Sequence, residues 1–376
     1  MPQRWFIRNT STDPLTGRQP HSGGCKQSVG HVTEMAGHVP EFGGHDAETV
    51  GHDGPKYAAG SCLVIVNTKA AATSVFQLCT PELEDEAVCH LSTDMCPAHR
   101  KQELTRVRCR LEEGRPILCV STQLIEAGVD VDFGVVIRFT AGLDSIAQAA
   151  GRCNRNGRPE PGTVHVVNPQ AESLAKLPDI LIGRDVSERV LDDYANDPAR
   201  FRENLVGPQA LGDYYRYYFF GRKDDMAYPV SSKELGHTDT LLNLLSSNDH
   251  AVSDYGQRQD KAPGIFFRQA FMTAAKAFKA IDAPTQGIVV PYGKEGRELI
   301  ADLHAAFEVE KEFDLLRAAQ QYTVNVFPHV LQKLKEAGAV HEVKPETRIL
   351  CLDERYYSRR FGLTTEPVCL MEPLHD

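Results

Sequence analysis

The sequence has no apolar run of the roughly 18 residues that a membrane helix needs. Its start, Met-Pro-Gln-Arg-Trp-Phe, lacks the long apolar stretch of a secretory signal. These absences set the expectation of a cytoplasmic protein with no membrane contact. None of the ten cysteines stands in a CxxC pair, and a zinc ribbon needs two such knuckles, so no metal site is expected. Cys62 and Cys119 sit inside apolar runs, as small buried hydrophobes of a reducing compartment do. Basic charge is not in excess either. Lys and Arg number 41 against 51 Asp and Glu, a net of −10. That excludes a simple charge-driven nucleic-acid coat, though not a locally basic groove.

What is present can build cores: 41 % of the 376 residues are hydrophobic and 24 % charged. At roughly 100–200 residues per domain the length suggests two or three domains. Residues 1–57 differ from the rest. Gly-His recurs at Gly30-His31, Gly37-His38, Gly44-His45 and Gly51-His52, a period of seven. A heptad period suggests a coiled coil, but Gly and His stand where apolar a and d positions belong. The segment reads as largely disordered. His45-Asp46 and His52-Asp53 spell a metal-binding His-Asp pair, but too few residues precede position 60 to hold further ligands on a helical core.

From Ser61 the pattern becomes α/β. Short β-branched runs at 62–67, 87–91, 116–121, 134–139 and 162–167 alternate with helical stretches at 69–78, 98–113 and 144–151, and with a helical turn at 123–127. Such alternation implies a parallel sheet covered on both faces. Ligands of such sheets bind at the carboxyl ends of the strands. The notable polar strings fall there: Asn67-Thr68-Lys69, then Ser121-Thr122-Gln123 running on to Glu126-Ala-Gly128-Val-Asp130, then Gln148-Ala-Ala-Gly151-Arg152-Cys-Asn-Arg155-Asn-Gly157-Arg158. A guanidinium is permanently charged and forks onto two phosphate oxygens at once, so arginines three apart past a helix suit phosphate chemistry. From Arg138 to Arg158 four arginines face one aspartate, Asp144, in an otherwise acidic chain.

Together these strings resemble motifs IV, V and VI of the second RecA-like domain of superfamily 2 helicases. The loop Ser92-Thr-Asp-Met-Cys-Pro-Ala-His-Arg100 resembles the conserved loop between motifs IV and V. The wording of the second and third strings is similar to the CRISPR-associated helicase–nuclease of type I interference systems. So is the closing stretch, Phe327-Pro-His-Val-Leu-Gln-Lys-Leu, Arg348–Asp353, Tyr356-Tyr357 and Phe361-Gly-Leu363.

The resemblance covers roughly 60–370 and implies an architecture. Residues 60–168 would be a RecA-like domain, 169–284 a helical linker and 285–376 a small α+β domain. It also implies roles. Arg152 and Arg155 would reach the γ-phosphate of ATP and Gln148 would place the nucleotide or the attacking water. Asp130, after a close-packing Gly128, would link the nucleotide to the nucleic acid. Asn67, Thr68, Thr122 and Gln123 would contact single-stranded DNA. The plainer readings of Asn67 and Thr68 as helix caps, Asp130 as a turn residue and Gln148 as an exposed helix residue stay open.

A phosphate-cradling loop ends Gly-Lys-Ser/Thr, and no such string occurs; Gly293-Lys294-Glu295 fails at its last position. Asp85-Glu86 precedes a strand run rather than ending one. The expectation is a truncated product or one part of a split enzyme, silent in ATP turnover alone, with Mg held mainly by an absent first RecA-like domain. Its partners would be single-stranded DNA, a CRISPR surveillance complex and a separate chain carrying the first RecA-like and nuclease domains. A restriction-type superfamily 2 subunit and a non-catalytic remnant are the alternatives.

In the remainder, Pro178, Pro198, Pro208 and Pro229 break helical pieces, and Tyr214–Phe220 reads as core aromatics. Residues 248–263 read as a loop, 266–278 as an amphipathic helix, 285–291 as a strand and 297–316 as one long helix.

Overall fold

The structure, a computed structural model, describes residues 5–10, 60–126, 128–157, 162–169, 172–225, 227–264, 266–278, 284–305, 309–343 and 348–368. The chain divides into two compact units, one of residues 1–193 with 285–376 and one of residues 194–284. The stretch expected as a single linker from 169 is thus divided at Asp193.

The first unit is built on short strands rich in β-branched and aromatic residues. These are β1 (Trp5–Thr10), β2 (Ser61–Ile65), β3 (Val88–Leu91), β4 (Ile117–Ser121), β5 (Val135–Phe139) and β6 (Gly162–Val167). They form one sheet in the order β1-β6-β5-β2-β4-β3, every pair parallel. The helices α1 (Lys69–Cys79), α2 (Pro97–Glu112) and α3 (Leu143–Ala150) supply the crossovers. Two apolar clusters form around the sheet. One gathers Leu63, Ile65, Ile117, Phe133 and Val136 with α2 residues Val107 and Leu111. The other gathers Cys62, Val64, Leu118 and Val120 with α1 residues Val75 and Phe76. This is the α/β, RecA-like arrangement expected from the alternation.

Within 1–57, expected to be largely disordered, the structure describes one element. The aromatic and β-branched run 5–10 pairs with β6 along its whole length, as a β-prone segment does beside an open strand edge. The Gly-His repeat and the His45-Asp46 and His52-Asp53 pairs lie outside the described residues.

In the same unit, β9 (Gln286–Val289), β10 (Thr323–Val326), β11 (Val340–Glu342) and β12 (Leu350–Leu352) form a mixed sheet in the order β10-β9-β12-β11. The single long helix expected over 297–316 is instead two helices, Gly293–Ala305 and Val309–Ala319. Both feed one apolar cluster, which holds Leu299 and Leu303 of the first helix and Leu315 and Leu316 of the second.

The short hairpin after this sheet, Tyr357–Ser358 paired with Gly362–Leu363, is tied to the RecA-like part through the 92–100 loop. Tyr357 Oη accepts the Cys96 amide at 3.1 Å and lies 3.0 Å from His99 Nδ1. Leu363 N donates to Asp94 O at 2.8 Å. Gly362 stands in the left-handed region at φ +81, and a Cβ there would lie 2.2 Å from Asp94 O. Only glycine fits that approach.

In the second unit the prolines start elements rather than break them. Pro208 opens the helix Pro208–Gly221, and Pro198 a short 3-10 turn, where a missing N–H costs nothing. Of the aromatics expected in a core, Tyr214 is buried, whereas Tyr215, Phe219 and Phe220 are exposed. Apolar identity at helical spacing does not fix which face finds a partner. The expected loop at 248–263 contains a helix, Asp249–Gln259, with no buried residue. The expected helix at 266–278 is confined to Phe271–Ala277. Among the described residues no helix is long and apolar enough to cross a membrane.

Candidate functional site

Three strand ends converge on the rim of the parallel sheet. After β4, a 3-10 turn (Gln123–Ile125) leads to Glu126 and Gly128. Gly128 has φ +73 with nothing within 4 Å of its Cβ position. Its glycine is required by backbone conformation, which corrects the close-packing role expected for it. The chain then passes exposed Asp130 and buried Asp132.

After α3, Gly151 begins the turn that carries both arginines. Arg152 is held at two levels. Its Nε donates to Ile125 O at 3.1 Å and its Nη2 to Glu126 O at 2.6 Å. Its carbonyl accepts the Phe133 amide at 2.9 Å, and Phe133 O accepts Asn154 N at 3.1 Å. The turn itself is held by Asp132, whose carboxylate accepts Arg155 N at 2.9 Å and Asn156 N at 3.3 Å. Arg155 Nη1 stands 3.3 Å from Asp130 Oδ1, with both side chains exposed. Both guanidinium groups therefore lie beside the 125–132 segment. Burial pulls Arg152 below the usual arginine value, and neighbouring Arg155 acts in the same direction. Gln148 is exposed on α3. Arg158 lies outside the described residues.

At the first strand end the helix-cap reading left open for Thr68 is what the structure shows. Thr68 is the N-cap of α1, its Oγ1 accepting Ala71 N at 3.1 Å. Glu172, 104 residues onward, lays its carboxylate over this helix start. Its Oε1 accepts Asn67 N at 3.0 Å, Thr68 N at 2.8 Å and Thr68 Oγ1 at 3.0 Å, and its Oε2 accepts Asn67 Nδ2 at 2.9 Å. A carboxylate is well placed at a helix N-terminus, where amides point outward unpaired. Asn67 Nδ2 also donates to Thr140 O at 3.0 Å. Thr122 is 9 % exposed and Gln123 half-buried, both directly after β4.

Beneath the rim lies Arg138, inside β5 and fully buried. Its Nη1 donates to Asn67 Oδ1 and to Phe139 O, each at 2.7 Å, and its Nε lies 2.9 Å from Glu126 Oε1. Burial pushes the Glu126 carboxyl up and the Arg138 guanidinium down, and each opposes the other's shift. The contacts run without a break from Glu172 through Asn67, Arg138 and Glu126 to Arg152. Sequence reasoning missed Glu172 and gave no role to Glu126 or Asp132. A charged residue inside the run Val-Val-Ile-Arg138-Phe is the signal that marks Arg138.

A parallel sheet with polar strand ends and a paired-arginine turn after α3 defines the class by its fold, an α/β domain of the RecA-like type. Residues 58–158 match the family model for the C-terminal part of the CRISPR-associated nuclease/helicase Cas3. A Cas3 of Haloferax volcanii is 61 % identical over 41 residues, 11 % of this chain and 4 % of that protein. A Cas3 of Methanothermobacter thermautotrophicus is 32 % identical over 95 residues, 25 % of this chain and 11 % of that protein. The crystal structure of T. fusca Cas3 superposes with a TM-score of 0.50 at 13 % identity, covering 94 % of this chain and 39 % of that one. Residues 58–158 are thus similar to the C-terminal part of Cas3, and the chain spans well under half of the relatives it matches.

Proposed function

We propose that this region is the second RecA-like and C-terminal part of an ATP-driven single-stranded-DNA motor acting in type I CRISPR interference, beside a surveillance complex. One observation carries the reading. Arg152 is locked to the carbonyls of 125 and 126 while Arg155 projects, exposed, from the same turn.

The residues present fit a nucleotide triphosphate in part. Arg155 is the cation able to exchange Asp130 for a phosphate oxygen. Arg152 acts through its neighbours, holding the turn against the 125–132 segment. Exposed Gln148, on the helix leading into that turn, orients the nucleotide or water. ATP, when bound, supplies the phosphoryl group whose transfer to water drives the motor, and arginine charge stabilises that transfer. The 376 residues contain no Gly-Lys-Ser/Thr loop; in this reading a first RecA-like domain would hold the triphosphate and its Mg. DNA backbone contacts from Asn67, Thr68, Thr122 and Gln123 give affinity without base specificity, as a translocating motor needs. A groove of about 520 Å³ beside α1, lined by Lys69, Gln77, His90, Asn325 and Phe361, extends that track.

The test is ATP hydrolysis with single-stranded DNA, using this chain mixed with the separately expressed first RecA-like domain of a Cas3 relative. The mixture is expected to turn over and the chain alone to be silent. Arg155→Ala is expected to lower the mixture's rate about 10³-fold. Turnover by the chain alone that survives Arg155→Ala would refute the reading.

A further inference from the structure

The 194–284 unit holds a cluster that the motor reading does not use. The short strands β7 (Pro229–Val230) and β8 (Asp239–Thr240) pair antiparallel, with Val230 opposite Asp239. Asp239 is 7 % exposed. Its Oδ1 is fully engaged, accepting Thr240 N at 2.7 Å and Asn243 Nδ2 at 2.9 Å. Its Oδ2 is buried without a hydrogen-bond partner, and so is His237 Nε2. These two atoms face each other at 3.5 Å, whereas a formed N–H···O bond closes to about 2.9 Å. The ring of His250, exposed at the start of the Asp249–Gln259 helix, lies 4.3 Å from that of His237, centroid to centroid. One donor atom from each of His237, Asp239 and His250 lies within 4.8 Å of the others.

We infer that His237, Asp239 and His250 form a site for a divalent transition-metal ion of the zinc type. Three lines of geometry support it. Metal–ligand bonds of 2.0–2.2 Å at tetrahedral angles place donor atoms about 3.4 Å apart, and the buried Nε2–Oδ2 pair already stands at that spacing. His250 is exposed, so its side chain is free to swing the remaining ångström. The two buried atoms face each other at 3.5 Å, longer than a closed hydrogen bond, and a cation between them would partner both.

The surroundings orient the donors in the manner of a metal site. Asn243 fixes the carboxylate through Nδ2, while its Oδ1 accepts Asp249 N at 3.2 Å and its backbone oxygen accepts Asn248 N at 2.8 Å. One side chain thus aims Asp239 and sets the start of the helix that carries His250, as outer-shell partners do. The bound ion pins the β8 turn to that helix, and three protein donors leave one position for water.

The test uses the full chain with His31, His38, His45 and His52 changed to Ala, which removes the Gly-His tract as a competing binder. Zn²⁺ is titrated against a chromophoric chelator, and thermal unfolding is followed with and without Zn²⁺. One tight equivalent and a Zn²⁺-dependent rise in Tm are expected. Adding His250→Ala, at an exposed position that leaves the fold intact, removes both. Asn243→Ala weakens binding about 10- to 100-fold. Co²⁺ in place of Zn²⁺ is expected to show no thiolate charge-transfer band. Binding unchanged by His250→Ala, or a thiolate band that places the ion on cysteine, overturns the inference.

Discussion

Arg138 concentrates more of the site's energetics than any residue of the three strand-end strings. It is fully buried in the middle of a parallel strand, hydrogen-bonded to Asn67 and to Phe139 O and ion-paired with Glu126. Removing one partner of a buried pair leaves the other charged and desolvated, which costs about 3–5 kcal/mol. Arg138→Met is expected to lower unfolding stability by that amount in urea titration. A loss below about 1 kcal/mol would show that Glu126 finds water once its partner is gone. His90 sets a pH dependence. It is 4 % exposed, with Phe76 and Phe361 edge-on to its ring at 5.9 and 5.1 Å. Burial lowers its pKa from 6.5 to about 4. The unfolded chain takes up the proton first, so acid favours unfolding. His90's contribution is complete above pH 6.5 and is lost as pH falls toward 4, an effect of about 3 kcal/mol. Burial also lowers His99, which acts in the same sense. Urea stability measured between pH 4 and 7 is expected to fall less steeply in His90→Phe than in wild type, and parallel curves would dismiss His90 as the source.

Among the elements, the start of α1 is where the fold and the proposed DNA contact compete. Glu172 occupies the two amides and the two side chains that a DNA phosphate would use. If the carboxylate covers them about nine-tenths of the time, apparent affinity is reduced about tenfold. Glu172→Gln is expected to recover that factor in fluorescence anisotropy with a single-stranded oligonucleotide. Unaltered affinity would mean that DNA does not use Asn67 and Thr68. The turn at Gly362 gives a second element-scale prediction. Alanine there meets both a positive φ and the Asp94 carbonyl, and is expected to cost about 3 kcal/mol. It should also open the 350–368 region to proteolysis; resistance equal to wild type would contradict the tight fit. The sheet elements were legible because each is set by a short local run. The runs 62–67, 116–121 and 134–139 hold β2, β4 and β5 within a residue or two. The grouping of Arg152 and Arg155 with 125–132 was legible because motif spacing carried it. Glu172 was not, because a carboxylate reaching back 105 residues to Asn67 leaves no local pattern. The aromatic run at 214–220 and the helix at 249–259 were misread because exposure there depends on partners rather than periodicity.

At the scale of the whole molecule, a unit assembled from two distant stretches encloses a second unit between them in sequence. The two differ sharply in core. The first holds several apolar clusters, one of them with seventeen buried residues, including Leu63, Ile117, Phe133 and Val164. Among the described residues the second has a cluster of five, Val230, Leu241, Leu244, Ala274 and Ala277, besides buried Phe201, Leu205, Ala210 and Tyr214. Stability is a small difference between burial and conformational entropy, so the unit with the smaller described core is expected to be the less stable of the two. Separate units also violate two-state unfolding. Scanning calorimetry is therefore expected to resolve two transitions, with 194–284 melting first. Because His237, Asp239 and His250 all lie in that unit, saturating Zn²⁺ should move the lower transition and leave the upper one in place. A site filled at about 100 times its dissociation constant adds about 2.7 kcal/mol, which raises the Tm of a domain of this size by about 10 °C or more. A single transition that moves as a whole on adding Zn²⁺ would mean that the two units unfold together, and that the ion stabilises the molecule rather than the segment that binds it.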